Sequence, residues 1–89
     1  MKAINWNENK NDALKASADR GYVSFERCLE AILADDILDD LVNTVAGREH
    51  QRILVLEIDN YVYAVPYVET ESEIFLKTAY PSRAFTARY

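Results

Sequence analysis

Glycine and proline are scarce, two of each in 89 residues, which leaves no room for long irregular loops or a glycine-rich phosphate cradle. A single cysteine has no partner for an internal disulfide, which fits a reducing compartment and makes a cytoplasmic location the expectation. Long apolar runs are missing: stretches such as Ile53–Leu56 and Tyr61–Val65 fall far short of a membrane span. The opening residues, Met1 to Asn7, lack the apolar stretch of a secretion signal, so none is expected. No Cys/His cluster is present, and Asp35, Asp36, Asp39 and Asp40 lack the glycine and ligand spacing of a calcium loop. Neither a metal nor a cofactor is therefore expected, and the aspartates read as a solvated face. Positive charge is also short: the net charge of −5 argues against a generic polyanion binder.

Apolar residues are plentiful at 49%, enough for a folded core, and the length suits one small domain over residues 1–89. The charge is unevenly spread. Residues 1–47 carry five Lys/Arg against nine Asp/Glu, whereas residues 48–89 carry five against six. A local basic site on the second half stays open, as does an acidic surface for a basic partner.

Lys2–Trp6 reads as a short strand with Ile4 and Trp6 on one face. Asn7 suits a helix N-cap, because its side-chain oxygen accepts a free backbone N–H, and Glu8 follows in the first turn. Ala13, Leu14 and Ala18 supply a thin apolar stripe, and Arg20-Gly21 is the stop. Ser24 caps a second helix in which Phe25, Cys28, Leu29, Ile32 and Leu33 recur on one face. Cys28 on that stripe reads as a core residue. Ile37–Val42 reads as a short edge strand, with a helical continuation as the competitor, and Asn43–Glu49 as a loop. Three strands follow: Arg52–Ile58, Tyr61–Val68 and Glu73–Ala79. Asp59-Asn60 tolerates the positive φ angles of a two-residue hairpin turn. Tyr61, Tyr63, Val65 and Tyr67 form an aromatic face against Val62, Ala64, Pro66 and Val68, and periodicity favours core or interface over base stacking. Pro66 cannot donate to a ladder, which places it at a bulge or on an unpaired side. Pro81 opens a final helix of about two turns. The expected fold class is α+β: a small antiparallel sheet, a three-stranded C-terminal meander plus the N-terminal strand. Two helices pack on one face, and a short C-terminal helix follows.

Most side chains capable of chemistry sit at strand ends or on the tail: His50, Arg52, Lys77, Tyr80, Ser82, Arg83, Arg88 and Tyr89. The order of Trp6, Lys10, Arg20-Gly21, Val23-Ser24-Phe25-Glu26 and the closing Ser82-Arg83-Ala84 with Thr86, Arg88 and Tyr89 resembles the BrnT-like toxins of bacterial type II toxin–antitoxin modules. The resemblance implies a RelE-like compact fold and a metal-independent endoribonuclease that inhibits translation and growth. It also implies neutralisation by a ribbon-helix-helix antitoxin, with DNA reached only through that partner and no membrane contact. A homodimer and a toxin–antitoxin hetero-oligomer both stay open. The alternative is a non-catalytic protein-binding module of the same fold.

Cleavage of RNA without a metal needs a base for the ribose 2′-hydroxyl, a cation for the pentavalent phosphorane and an acid for the leaving 5′-oxygen. Histidine is the side chain suited to proton transfer near neutral pH. His50 is therefore a candidate base or acid, against the plain alternative of a solvated loop residue. Arg83, matched to the family's Ser/Arg signature, and Lys77 are the candidate transition-state cations, with Tyr80 completing the catalytic set. Arg52, Ser82, Arg88 and Tyr89 are the candidate substrate contacts. Salt bridges to the abundant acids account for the same cations equally well. In a simple meander, strands one and three run parallel, so Arg52 and Lys77 are expected at opposite ends of the sheet.

Overall fold

A computed structural model describes residues 2–48 and 50–89; Glu49, the last residue of the predicted loop, lies outside them. The fold is α+β. Its elements are β1 (Ala3–Trp6), α1 (Glu8–Lys15), a 3₁₀ turn (Ala18–Arg20), α2 (Phe25–Leu33), β2 (Ile37–Val42), β3 (Arg52–Ile58), β4 (Tyr61–Glu69), β5 (Glu73–Leu76), β6 (Tyr80–Pro81) and α3 (Arg83–Arg88). They build a six-stranded sheet in the order β1-β5-β4-β3-β2, with the two-residue β6 also pairing to β4. β2 to β5 are successively antiparallel, but β1 joins β5 in parallel, so the sheet is mixed rather than wholly antiparallel. None of the helices among the described residues is long and apolar enough to cross a membrane.

Local signals fix the helix starts. Asn7 caps α1 by accepting from the Lys10 N–H at 3.0 Å, and Ser24 caps α2 by accepting from the Arg27 N–H at 3.1 Å. The first helix is shorter than expected. It closes at Lys15, the chain tightens into the 3₁₀ turn, and Gly21 ends that turn at φ +66°. Ala13 and Ala18 are consequently exposed, and the buried face of α1 is Asn11 and Leu14. In α2 the buried positions are Phe25, Cys28 and Ala31, a spacing that turns Leu33 outward to 62% exposure.

The core lies between these helices and one face of the sheet: Leu14, Phe25 and Cys28 meet Leu54, Leu56, Tyr63, Val65, Tyr67 and Leu76. Trp6 stacks on Phe25 with centroids 5.7 Å apart. The opposite face carries buried Val55, Val62 and Ala64, and α3 packs against β4. Asp59 and Asn60 both adopt positive φ in the β3–β4 turn, as their residue types predict.

Pro66 explains a break in the sheet. Its carbonyl accepts from the Lys77 N–H at 2.8 Å, so its proline nitrogen faces the same neighbouring track and has no proton to donate. β5 pairs with β4 only through Tyr67–Glu69, and β6 resumes at Tyr63 and Ala64. The expected strand Glu73–Ala79 is therefore cut at Leu76, and residues 77–79 leave the ladder opposite Pro66.

Candidate functional site

The interrupted track opens a groove of about 600 Å³ on the sheet face away from α1 and α2. Ile53 and Pro66, paired across β3 and β4, form its floor. One wall comes from the 3₁₀ turn and the β5–β6 connection, through Asp19, Arg20, Thr78 and Tyr80. The other comes from the β2–β3 loop, through Asn43, Val45 and Arg48. Because the loop lies on the β2 side of the floor and the turn on the β6 side, Arg20 and Arg48 approach from opposite directions.

Arg20 is held in place. Its Nη1 donates to the Ala79 carbonyl at 3.3 Å and to Thr78 Oγ1 at 3.5 Å, and its guanidinium lies over the Tyr80 ring, 5.7 Å from the centroid. Arg48 is exposed on a loop tied by backbone bonds from its N–H to the Val45 carbonyl and from the Gln51 N–H to its own carbonyl, each 2.9 Å. A second depression adjoins the groove and shares Asp19 with it. There Arg83 sits with Gly21, Tyr61, Tyr63 and Pro81.

The predicted residues therefore separate. Tyr80 lines the groove. Lys77 leaves the ladder beside the floor residue Pro66, its Nζ 5.4 Å from the Phe75 ring centroid. Arg83 is next door. Ser82 caps α3 by accepting from the Phe85 N–H at 3.2 Å, so its hydroxyl is engaged in the fold. Arg88 lies over the Tyr89 ring, and the Tyr89 hydroxyl donates to the Asp39 carboxylate, fastening the end of α3 to β2. That bond holds the Asp39 carboxyl below its usual range and pushes the Tyr89 hydroxyl up.

His50 and Arg52 belong to a different depression, with Lys2, Glu69, Thr70 and Glu71. Arg52 is bound to Asp40, Nε to Oδ1 at 3.1 Å, and the same carboxylate accepts from the Tyr67 hydroxyl at 2.8 and 2.9 Å. The Asp40 carboxylate raises the Arg52 guanidinium, so this cation is permanently charged and already partnered. The expected end-to-end separation of Arg52 and Lys77 does not hold. Arg52 pairs with Tyr67 and Tyr67 with Leu76, so all share one level of the sheet. β5 meets only the far end of the nine-residue β4, the same end that β3 enters. What separates the two cations is the sheet itself, since Arg52 projects to the helix-covered face and Lys77 to the other.

Ion pairing sorts the cations. Lys2, Lys15, Arg27 and Arg52 bridge to acids. Lys10, Arg20, Arg48, Lys77, Arg83 and Arg88 form no ion pair among the described residues. Of these, Arg20 and Arg48 line the groove, Arg83 lines the depression beside it, and Lys77 adjoins it through its backbone bond to Pro66. Sequence reasoning assigned Arg20 to a helix stop and passed over Arg48 in a loop. Arg20 was marked by the neighbouring Gly21, which shapes the turn, and by its place in the Arg20-Gly21 family match, though not as a site residue; nothing local marked Arg48. Among the described residues no cluster of three His, Cys, Asp or Glu side chains is placed to hold a metal ion. The arrangement can neutralise phosphate from two sides while offering an apolar floor and one aromatic ring. Tyr80 and Asp19 are the groups there able to handle a proton. Compared with protein-family models, with curated proteins and with solved structures, the chain gives no match in any of the three.

Proposed function

We propose that the chain is the toxin of a bacterial type II toxin–antitoxin module, an endoribonuclease that cleaves without a metal, arrests translation and growth, and is neutralised by a ribbon-helix-helix antitoxin. One observation carries the reading beyond resemblance. In a chain of net charge −5, four of the six cations that form no ion pair among the described residues lie at one groove or next to it. Arg20 and Arg48 stand in its walls, Arg83 in the adjoining depression, and Lys77 is bonded through its backbone to the floor residue Pro66. Such charge, left unneutralised in an acidic protein, suits a polyanion laid across that face.

In this reading the RNA backbone crosses the sheet between the β2–β3 loop and α3. A base removes the proton from a ribose 2′-hydroxyl, the 2′-oxygen bonds to phosphorus, and the bond from phosphorus to the 5′-oxygen breaks. The leaving oxygen takes a proton, giving a 2′,3′-cyclic phosphate and a 5′-hydroxyl end. Arg83 and Lys77 stabilise the phosphorane charge. His50 lines another depression, so proton transfer falls to Tyr80 and Asp19, which line the groove with Arg20 and Arg48. Induced expression with and without the neighbouring gene tests the reading, with growth and RNA ends followed by primer extension. Arrest with discrete cuts is expected, suppressed by the neighbour and abolished by Arg83→Ala in a protein that still folds. Normal growth and intact RNA from soluble, folded wild type would sink it.

A second reading, a protein-binding module, is favoured by β2. It is the terminal strand of the sheet, and Ile37, Leu38 and Val42 on it are 36%, 39% and 58% exposed. A partner bound there with little salt dependence, by a protein without ribonuclease activity, would favour this alternative.

A further inference from the structure

We propose that the groove floored by Ile53 and Pro66 is a binding site for one unpaired nucleotide of a nucleic-acid strand. Arg20 and Arg48 take its phosphate from opposite walls, and the base lies on the floor against Tyr80. This rests on the reading of the chain as RNA-acting and adds a subsite, a ligand class and two residues to it.

Three observations carry it. First, Arg20 is preorganised. Its bonds to Thr78 and Ala79 use Nη1 alone, and Tyr80 supports its plane, so Nε and Nη2 keep donors for a phosphate oxygen without a further ordering cost. Second, cation and apolar surface occur together. A free inorganic anion has no use for Ile53 and Pro66, whereas a nucleotide joins a charged phosphate to a flat apolar base. The volume, about 600 Å³, is ordinary for a site that holds a single small group. Third, a duplex cannot use this floor, because its bases are stacked and hidden and only its backbone is presented. The strand continues from this site towards Arg83, the cation of the adjoining depression.

The test uses fluorescence anisotropy with the full chain and short labelled probes. These are a single-stranded 2′-O-methyl RNA, which lacks the nucleophile for cleavage, a single-stranded DNA of the same sequence, and a duplex RNA. Wild type is expected to bind a single strand at least tenfold more tightly than the duplex. Arg48→Glu and Tyr80→Leu are each expected to weaken that binding tenfold or more. Lys15→Ala, on α1, leaves it unchanged. Arg48 is the primary variant because its side chain is exposed and makes no hydrogen bond or ion pair among the described residues, so loss of binding cannot be blamed on misfolding. Binding of RNA and DNA alike, or of RNA alone, both support the site and differ only in whether the 2′-oxygen is read. Unchanged binding by Arg48→Glu and Tyr80→Leu would overturn this site while leaving RNA recognition intact. Absence of binding by folded wild type would overturn the functional reading and the site with it.

Discussion

Replacing Asn11 by alanine should destabilise the domain by about 2–3 kcal/mol, most of it from one stranded backbone group. Asn11 is fully buried in α1, and its Oδ1 accepts from the Phe25 N–H at 2.8 Å, satisfying a free donor in the first turn of α2. Its Nδ2 donates to both Glu26 carboxylate oxygens at 2.8 and 3.0 Å. Alanine leaves the buried Phe25 N–H unpaired, at roughly 1–3 kcal/mol. The bonds to the solvent-exposed Glu26 add less, under about 1 kcal/mol. An 89-residue domain holds roughly 4–13 kcal/mol in all, so the loss is a sizeable share, and it should lower the melting temperature by roughly 10–20 °C. Urea unfolding followed by circular dichroism measures it, with the denaturant slope unchanged. A pH series sharpens the test. Asn11 holds the Glu26 carboxyl below its ordinary 4.5, so in wild type this pair contributes stability above that pH and loses it as pH falls through the lowered folded value. Asn11→Ala should flatten this component. Asn11→Asp keeps the acceptor for Phe25 but sets a carboxylate against Glu26, so its deficit should be greatest near neutrality and shrink below about pH 5. A loss under about 1 kcal/mol for the alanine variant, or an Asp variant equally impaired at both pH values, would refute the assigned role.

A Cβ on Gly21 would lie 2.5 Å from the Tyr63 hydroxyl at a φ of +66°, so Gly21→Ala combines left-handed strain of about 1 kcal/mol with a clash against a buried ring. A melting temperature within a degree or two of wild type would show that the turn simply relaxes. Burial pushes the Cys28 thiol up to about 12, and burial with the bond to Asp40 pushes the Tyr67 hydroxyl up to about 12. Both groups stay neutral in the fold while the unfolded chain ionises them, so their contribution is complete below about pH 9 and is lost as pH rises towards 12. Thiol-reagent labelling at pH 8 should then be slow in the native state and rapid in urea.

The local part of this fold was legible because its signals are local. Asn7, Ser24 and Asp59-Asn60 act on backbone groups within three residues, so side-chain chemistry alone identifies the caps and the hairpin turn. Over Ile37–Val42 the sequence favours an edge strand but leaves a helical continuation open, and antiparallel pairing with β3 decides for the strand. The apolar stripe through Ala18 and the stop at Arg20-Gly21 run α1 too far, because Gly21 ends a separate 3₁₀ turn rather than the helix; nor does the sequence show that the polar Asn11 is buried, serving a donor fourteen positions away. The parallel docking of β1 on β5 joins residues about seventy apart, which no window of periodicity contains.

The site was legible in residue type and not in grouping, and Pro66 shows why. Its lack of an N–H was read correctly as a missing ladder bond, but the consequence depends on which strand runs alongside. Since that strand is β5, the break releases residues 77–79, turns Tyr80 and Thr78 to the open face, and gives the 3₁₀ turn a carbonyl at Ala79 on which to seat Arg20. The β4–β5 register likewise decides that Lys77 flanks this groove while Arg52, level with it, is committed to Asp40 through the other face. Register is set by how far β4 outruns β5, a property of two chain lengths and one turn. The break at Pro66 thus sets Lys77, Thr78 and Tyr80 beside the groove and seats Arg20 there, while Arg48 reaches it independently from the β2–β3 loop. Changing Pro66 to a β-branched residue should consequently extend the β5 ladder and narrow the groove, even though no charged group is altered.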